Sequence, residues 1–208
     1  MAFAEVDPEG VVRGRDEHEL FQSASAVKAL ILAAELERLD REGLPLDPAT
    51  RSVLESMITV SDNDAASEIF DRVGLEGVAA IGHRAGMQDL EVSTIWGDTR
   101  ISAADMAVMF SDLDRVFPER FERFGKGLLG SITPAQSWGI PAVARPLGWS
   151  VRFKGGWRPD PSGQVVNQAA ELDRHGTKLA IAVLTDEGPS MTYGIESVEG
   201  VAARLLGG

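Results

Sequence analysis

The chain has 208 residues, enough for one folded domain with a substantial core, and its 44% hydrophobic and 25% charged residues exclude disorder and a coiled coil. Lys and Arg number 20 against 32 Asp and Glu, and a net charge of −12 argues against nucleic acid or an anionic membrane surface as partner. Cysteine is absent, which removes disulfides, thiolate zinc sites and cysteine nucleophiles together.

In chain order, Ala2–Val6 reads as a strand, followed by the turn Asp7-Pro8-Glu9-Gly10 and a second strand over Val11–Arg15. No signal peptide precedes the first strand, so a natural leader removed upstream is kept as an expectation and compartment is not legible from the chain. Helical patterns dominate from about Ala24 to Leu129. The first helix runs from Ala24 to Glu42 and stops at Gly43, and the second begins near Pro48. Shorter helices are expected at Asp64–Arg72 and Leu75–Ala85, then a loop from Gly86 to Ile101 and a helix over Ser102–Phe117 capped by Ser102. Trp149–Trp157, Val165–Leu172 and Lys178–Thr185 read as three strands, and a helix near Ile195–Leu206 closes the chain. No apolar run spans a bilayer, because Lys28 interrupts the best one, Ala24 to Ala34.

Strands at both ends with helices between predict an α+β fold: one antiparallel sheet built from N- and C-terminal strands and flanked by helices, plus an all-helical lobe. Residues 1–208 are expected to form a single domain, with a sheet lobe over about 1–23 and 148–208 and a helical lobe over about 24–147. Gly125-Lys126-Gly127-Leu128-Leu129-Gly130 fits a dinucleotide-binding spacing, but it follows a helical segment where such a site needs a strand. His18, His83 and His175 stand apart without ligand spacing, so neither a metal nor another cofactor is expected.

Three groups carry chemistry. Ser25 and Lys28 lie three residues apart at the start of the first helix and share a face. Lys28 is set among Ala24, Ala26, Val27, Ala29 and Leu30, and a buried ammonium loses its proton more easily, which makes a usable base. The plain alternative is that Ser25 caps the helix and Lys28 reaches solvent. Ser61-Asp62-Asn63 places a hydroxyl and a carboxamide at a helix-to-loop junction, where an N-cap is the alternative. Lys154-Gly155-Gly156 lies on a predicted strand whose glycines permit close approach to the backbone, with a bulge as the alternative.

In that order, S-x-x-K, S-D-N and a K-x-G triplet resemble the signature set of serine β-lactamases and penicillin-binding DD-peptidases. The stretches Leu54–Ala66 and Gly148–Trp157 resemble class A β-lactamases and their relatives. The resemblance implies Ser25 as the acylated nucleophile, Lys28 as its activating neighbour, and Ser61 as proton relay to the leaving nitrogen. It implies Asn63 on the substrate's side-chain amide and Lys154 as a positive charge that steadies a substrate carboxylate and keeps Lys28 deprotonated. The backbone N–H groups of Ser25 and Trp157 would form the oxyanion hole, with Gly155 and Gly156 beside them.

The departures are as specific. Between Gly86 and Thr99 there is no E-x-x-L-N motif, so the Glu that activates the deacylating water in class A enzymes is missing, and the loop looks more like that of low-molecular-mass DD-peptidases. Asp89, Glu91 and Asp98 are the acids of that loop and read as solvated surface charge. Gly155 stands where the family has Thr or Ser, the segment from Lys28 to Ser61 is short, and the family's N-terminal helix does not precede the first strand. The expectation is a monomeric serine hydrolase acting on a small β-lactam or acyl-peptide-like substrate, with intact acylation and weak deacylation. A DD-peptidase or esterase-like acyltransferase and a non-catalytic peptidoglycan- or partner-binding member stay open beside it. An extracytoplasmic location is implied by the resemblance alone.

Overall fold

The computed structural model describes residues 1–207. The N-terminal hairpin pairs β1 (Ala2–Val6) with β2 (Val12–Arg15), and the Asp7 carboxylate holds its turn by accepting from the Glu9 and Val11 N–H groups. A second, two-stranded ladder that has no clear pattern in the sequence joins β3 (Phe21–Gln22) to β4 (Arg100–Ile101). The three long strands are β5 (Ser150–Asp160), β6 (Gly163–Arg174) and β7 (Thr177–Gly188), each extending beyond its apolar centre. They join the hairpin in one antiparallel sheet of order β2-β1-β7-β6-β5. The sheet is thus assembled from both ends of the chain, as expected. Every residue of β7 from Ala180 to Thr185 is buried, so both faces of the sheet are covered.

The helices follow from local signals. A 3₁₀ turn over Ala24–Val27 leads into α1 (Lys28–Arg41), which is buried on every side from Lys28 to Leu36 and reads as a core helix. Asp47 caps α2 (Pro48–Thr59) by accepting from the Ala49 and Thr50 N–H groups, with Pro48 in the first turn. α3 (Asn63–Ala85) is two helical pieces that meet at Gly74, whose φ of 66° and ψ of 177° only glycine adopts freely. Ser102 caps α4 (Ala103–Ser111) through the Asp105 N–H, but the helix expected to reach Phe117 breaks at Asp112. The Asp112 carboxylate accepts from the Arg115 N–H and starts α5 (Leu113–Val116). α6 (Glu119–Gly130) contains the whole Gly125–Gly130 run, so that spacing lies inside a helix. α7 (Ile140–Ala144) is short, and α8 (Met191–Leu206) packs on β6 and β7. Although α4 falls in the stretch expected to belong to the helical lobe, it packs on β1 and β7. Its Met106, Ala107 and Phe110 are fully buried, and covering the sheet explains that placement.

A buried carboxylate fixes α1 against α3. Glu35 is fully buried and accepts from Arg38 Nε and Nη2, both at 2.8 Å, with Arg72 Nη1 of α3 at 3.5 Å. Arg38 and Arg72 are partly exposed and keep Glu42 and Glu68 as partners, so removing the carboxylate loses buried charge-assisted hydrogen bonds without stranding a charge. Glu35→Ala is expected to lower stability by about 1–3 kcal/mol. Urea unfolding checks this, and a change near zero would show the pair to be dispensable.

Candidate active site

Four elements converge at one place. The 3₁₀ turn carries Ser25, the first turn of α1 carries Lys28, the entry to α3 carries Ser61 and Asn63, and β5 carries Lys154. β5 is the edge strand of the sheet, and it packs against the Ser25 turn. Gly156 makes that approach possible. A Cβ there would lie 2.5 Å from Ser23 O, 2.6 Å from Ala26 N and 2.8 Å from Ser25 N, all backbone atoms. This contact brings Trp157 beside Ser25, and the two line one cavity of about 280 Å³ with Ala24, Asn63, Ile95, Trp96, Gly97 and Arg158.

Lys28 does not reach solvent. It is fully buried, and its Nζ donates to Ser61 O at 2.6 Å, Asn63 Oδ1 at 2.8 Å and Ser61 Oγ at 3.3 Å. Burial pushes its ammonium down to about 8, with the Asp62 carboxylate pulling the other way. Lys154 is also fully buried, and its Nζ donates to Ser61 Oγ at 3.0 Å and Gly155 O at 2.8 Å. Burial, and then the charge on Lys28, hold Lys154 well below the usual lysine range. Desolvation is the first cause for both lysines, and two amines that share the Ser61 hydroxyl disfavour each other's charge. Lys154 does not present its amine to solvent as a free positive charge.

Ser61 Oγ consequently sits between two amines and accepts from both, which leaves its own proton to be donated elsewhere. Asp62, next to it, does the capping: its carboxylate accepts from the Asp64 and Ala65 N–H groups. Ser25 caps nothing, because it is the second residue of the 3₁₀ turn. No hydrogen bond joins its Oγ to Lys28 Nζ among the described residues. Two non-glycine residues at the site have positive φ, Ala24 at 45° and Ser61 at 61°. Such backbone strain, of order 1–3 kcal/mol per residue, persists only where surrounding structure over-determines it.

Three tryptophans shape the surroundings. Trp96, from the loop before β4, lies over Lys28 with its ring centroid 4.8 Å from Nζ, and its Nε1 donates to Ser67 Oγ. Trp157 and Trp138 meet edge to face at 5.7 Å between centroids. Trp138 also fills the space next to Gly155, where a Cβ would lie 3.3 Å from its Cη2. No carboxylate lines the cavity at Ser25 among the described residues. Asp98 is paired with Arg158 at 2.6 Å, Asp89 with His18 at 2.8 Å, and Glu91 with Arg100 at 3.6 Å.

The β-lactamase enzyme family model matches residues 46–206. The chain belongs to the β-lactamase enzyme family. Its fold is shared with the β-lactamase from Sphaerobacter thermophilus, at TM-score 0.82 and 19% identity over 99% of this chain and 91% of that one. An ancestral class A β-lactamase has TM-score 0.83 and 20% identity over 99% and 92%, and PBP-A has TM-score 0.78 and 18% identity over 100% and 90%. No curated protein matches the chain in sequence. The antiparallel sheet flanked by helices is thus the β-lactamase fold.

Within this family fold, Trp96, Trp138 and Asn167 belong to the site's structure without standing in any motif. Asn167 Nδ2 donates to Gln22 O and its Oδ1 accepts from Thr185 N, tying the sheet to the segment just before Ser25. A partial signal was the aromatic content of the loop, since Trp96 stands in a stretch with no helical period to bury it. The approach at Gly156 gives a direct test. Gly156→Ala is expected to cost about 1–3 kcal/mol, the range for overpacking. Gly127→Ala, in α6 with nothing within 4 Å of the added carbon, should be neutral or stabilising by up to about 1 kcal/mol. Parallel urea titrations compare the two, and equal stability would show that β5 does not press on the Ser25 turn.

Proposed function

We propose that this chain is a serine hydrolase that forms an acyl-enzyme on Ser25 with β-lactams or related amides and esters. The observation that carries the reading is Ser61 Oγ held between the Lys28 and Lys154 amines beside the cavity that opens on Ser25. Ser25 Oγ attacks the carbonyl carbon and its proton passes to the neutral Lys28 amine. The Ser61 hydroxyl protonates the leaving atom and is reprotonated from the lysines. The backbone N–H groups of Ser25 and Trp157 receive the developing oxyanion, a role that the packing of Gly156 on the Ser25 turn supports. Asn63, on the cavity wall, is assigned to the substrate's amide. Residues 1–208 act as one unit with the site between the sheet and the helices, on a small-molecule substrate outside the cytoplasm and as a monomer.

A second reading, a binding member without turnover, is favoured by one observation: Lys28 Nζ has three hydrogen-bond acceptors and Ser25 Oγ is not one of them. Labelling separates the two. A fluorescent penicillin or activated ester is expected to add one acyl group to Ser25, seen by intact-protein mass spectrometry, and Ser25→Ala should lose all labelling while keeping its fold. Unchanged labelling of the variant would overturn the nucleophile assignment, and no labelling of the wild type would favour the second reading.

Lys28 makes acylation pH-dependent. With its proton released near 8, about a tenth of the amine is neutral at pH 7. The acylation rate should therefore climb from pH 6 to pH 9 with a midpoint near 8, and Lys28→Ala should slow it roughly 10²-fold or more and flatten the profile. A profile unchanged in the variant would show that another group is the base.

Deacylation is expected to be slow. No carboxylate lines the cavity among the described residues, and Trp96 covers the Lys28 amine. Hydrolysis without general-base help is typically slower by about 10²–10⁴-fold, so stopped-flow traces should show a burst of one equivalent and then a slow steady phase. Asp89→Asn and Glu91→Gln should leave that phase within roughly twofold, because Asp89 is tied to His18, Glu91 to Arg100, and neither lines the cavity. Fast turnover without a burst, lost in either variant, would reveal a substitute base in the loop.

A further inference from the structure

We propose that a second cavity, between α2 and α6, binds a small aromatic carboxylate. It has a volume of about 530 Å³ and shares no lining residue with the cavity at Ser25, so the inference stands apart from the acyl-enzyme reading. That volume falls within the range of about 300–1,000 Å³ typical of small-molecule sites. Its apolar surface comes from Leu46, just ahead of α2, and from Phe121, Phe124 and Leu128 of α6. Gly127 lines it as well and leaves room, since no atom lies within 4 Å of a Cβ built there.

The charges around this cavity reverse the composition of the chain. Acids outnumber Lys and Arg by 32 to 20 overall, yet the lining holds three arginines, Arg51, Arg120 and Arg123, and one acid, Glu55. The arginines are poorly neutralised. Arg51 meets Glu55 at 3.8 Å, beyond hydrogen-bond length. Neither Arg120 nor Arg123 has a carboxylate within ion-pair distance among the described residues, and the nearby acids Glu122 and Asp114 are taken by Lys126.

Two of these guanidinium groups rest on the aromatic surface, Arg51 at 4.6 Å from the Phe124 ring centroid and Arg120 at 4.7 Å from that of Phe121. A stacked guanidinium keeps its N–H edges for an acceptor, and the two oxygens of a carboxylate match that fork. Part of the side-chain entropy is thereby lost before a ligand arrives, which favours binding. An aromatic body attached to the carboxylate would bury its area against Phe121 and Phe124. The net charge of −12 repels extended negative charge beyond the three arginines, so a single carboxylate fits where a polyanion does not.

2-Naphthoate, its neutral analogue 2-naphthamide and the alkyl acid decanoate test the proposal, each titrated into the whole chain by calorimetry and mapped by amide NMR shifts. 2-Naphthoate is expected to bind one to one and to move the amides of residues 46–55 and 119–128. 2-Naphthamide should bind roughly ten-fold more weakly or worse, the scale of hydrogen bonds to a charged group. Decanoate should bind about threefold more weakly or worse, for want of aromatic contacts. Changing Arg120→Gln and Arg123→Gln together should weaken 2-naphthoate roughly ten-fold and leave 2-naphthamide within about twofold. Glu55→Gln should tighten 2-naphthoate, and Gly127→Leu, which fills the open space, should abolish its binding. All four positions are exposed, and urea unfolding confirms that each variant folds. Equal affinity for 2-naphthoate and 2-naphthamide, or no loss in the double arginine variant, would overturn the anion site, and equal binding of decanoate would overturn the aromatic class. Shifts confined to Ser25 and Trp157, or no binding at about 5 mM ligand, would overturn the inference outright. None of these outcomes bears on acylation of Ser25.

Discussion

A lysine amine kept out of water organises the site. α1 is apolar on all sides because it runs through the core, and Lys28 is the charged residue at its buried start. A shift from 10.5 to about 8 corresponds to about 3 kcal/mol disfavouring the ammonium. The surroundings meet that cost with acceptors: a carbonyl, a hydroxyl and a carboxamide, all from the Ser61–Asn63 junction. That junction holds an unfavourable backbone at Ser61 to supply them, and Asp62 and Ser56 brace it through a side-chain hydrogen bond of 2.8 Å. The second amine, Lys154, then reaches the same hydroxyl from the edge of the sheet. Sheet and helices are joined at the atoms where chemistry is proposed.

Much of the fold was legible because its signals are local. Gly43, Pro48 and Ser102 marked helix ends that the structure has, and the two helical stretches expected at Asp64–Arg72 and Leu75–Ala85 meet at Gly74 with a non-helical backbone. The three C-terminal strands were visible in their apolar centres but not in their ends, since Arg158, Pro159 and Asp160 are held by pairing with β6 rather than by pattern. The β3–β4 ladder escaped for the same reason. Two residues on each side pair across most of the helical region, and no periodicity exists over so short a run. The break at Asp112 was hidden by unbroken apolar spacing, and it shows in the non-helical Asp112 backbone and in the bond its carboxylate accepts from the Arg115 N–H.

At the site, the motif residues could be named because their spacing is specific, whereas the relations between them are matters of depth. Sequence placed Lys28 in an apolar stretch, and burial was readable from that. It could not tell that Lys154 lies equally deep. The glycine at 155 looked like a simple loss of a hydroxyl. The structure gives it a positive cause: Trp138, seventeen positions upstream in α7's lead-in and held at its backbone carbonyl by Gln168, fills that space. A side chain's absence at one position is thus the imprint of another's bulk, and single-position motifs do not record such pairs.

The closure of the sheet bears on how the chain reaches its native state. β1 joins β7 with Phe3 opposite Val183, so strands separated by nearly the whole sequence must find each other. Loop closure on that scale is entropically unfavourable before any contact offsets it, and folding rates fall as contacts become more distant in sequence. The β5–β6–β7 meander, joined by tight turns, can form early and offers β7 as a template. The N-terminal hairpin completes the sheet by pairing β1 with β7. Until then β7 is an unpaired, apolar edge, open to other chains as well as to its own partner. The segment that carries Ser25 follows directly behind that hairpin. Assembly of the site is therefore tied to the strand pairing most distant in sequence, β1 with β7.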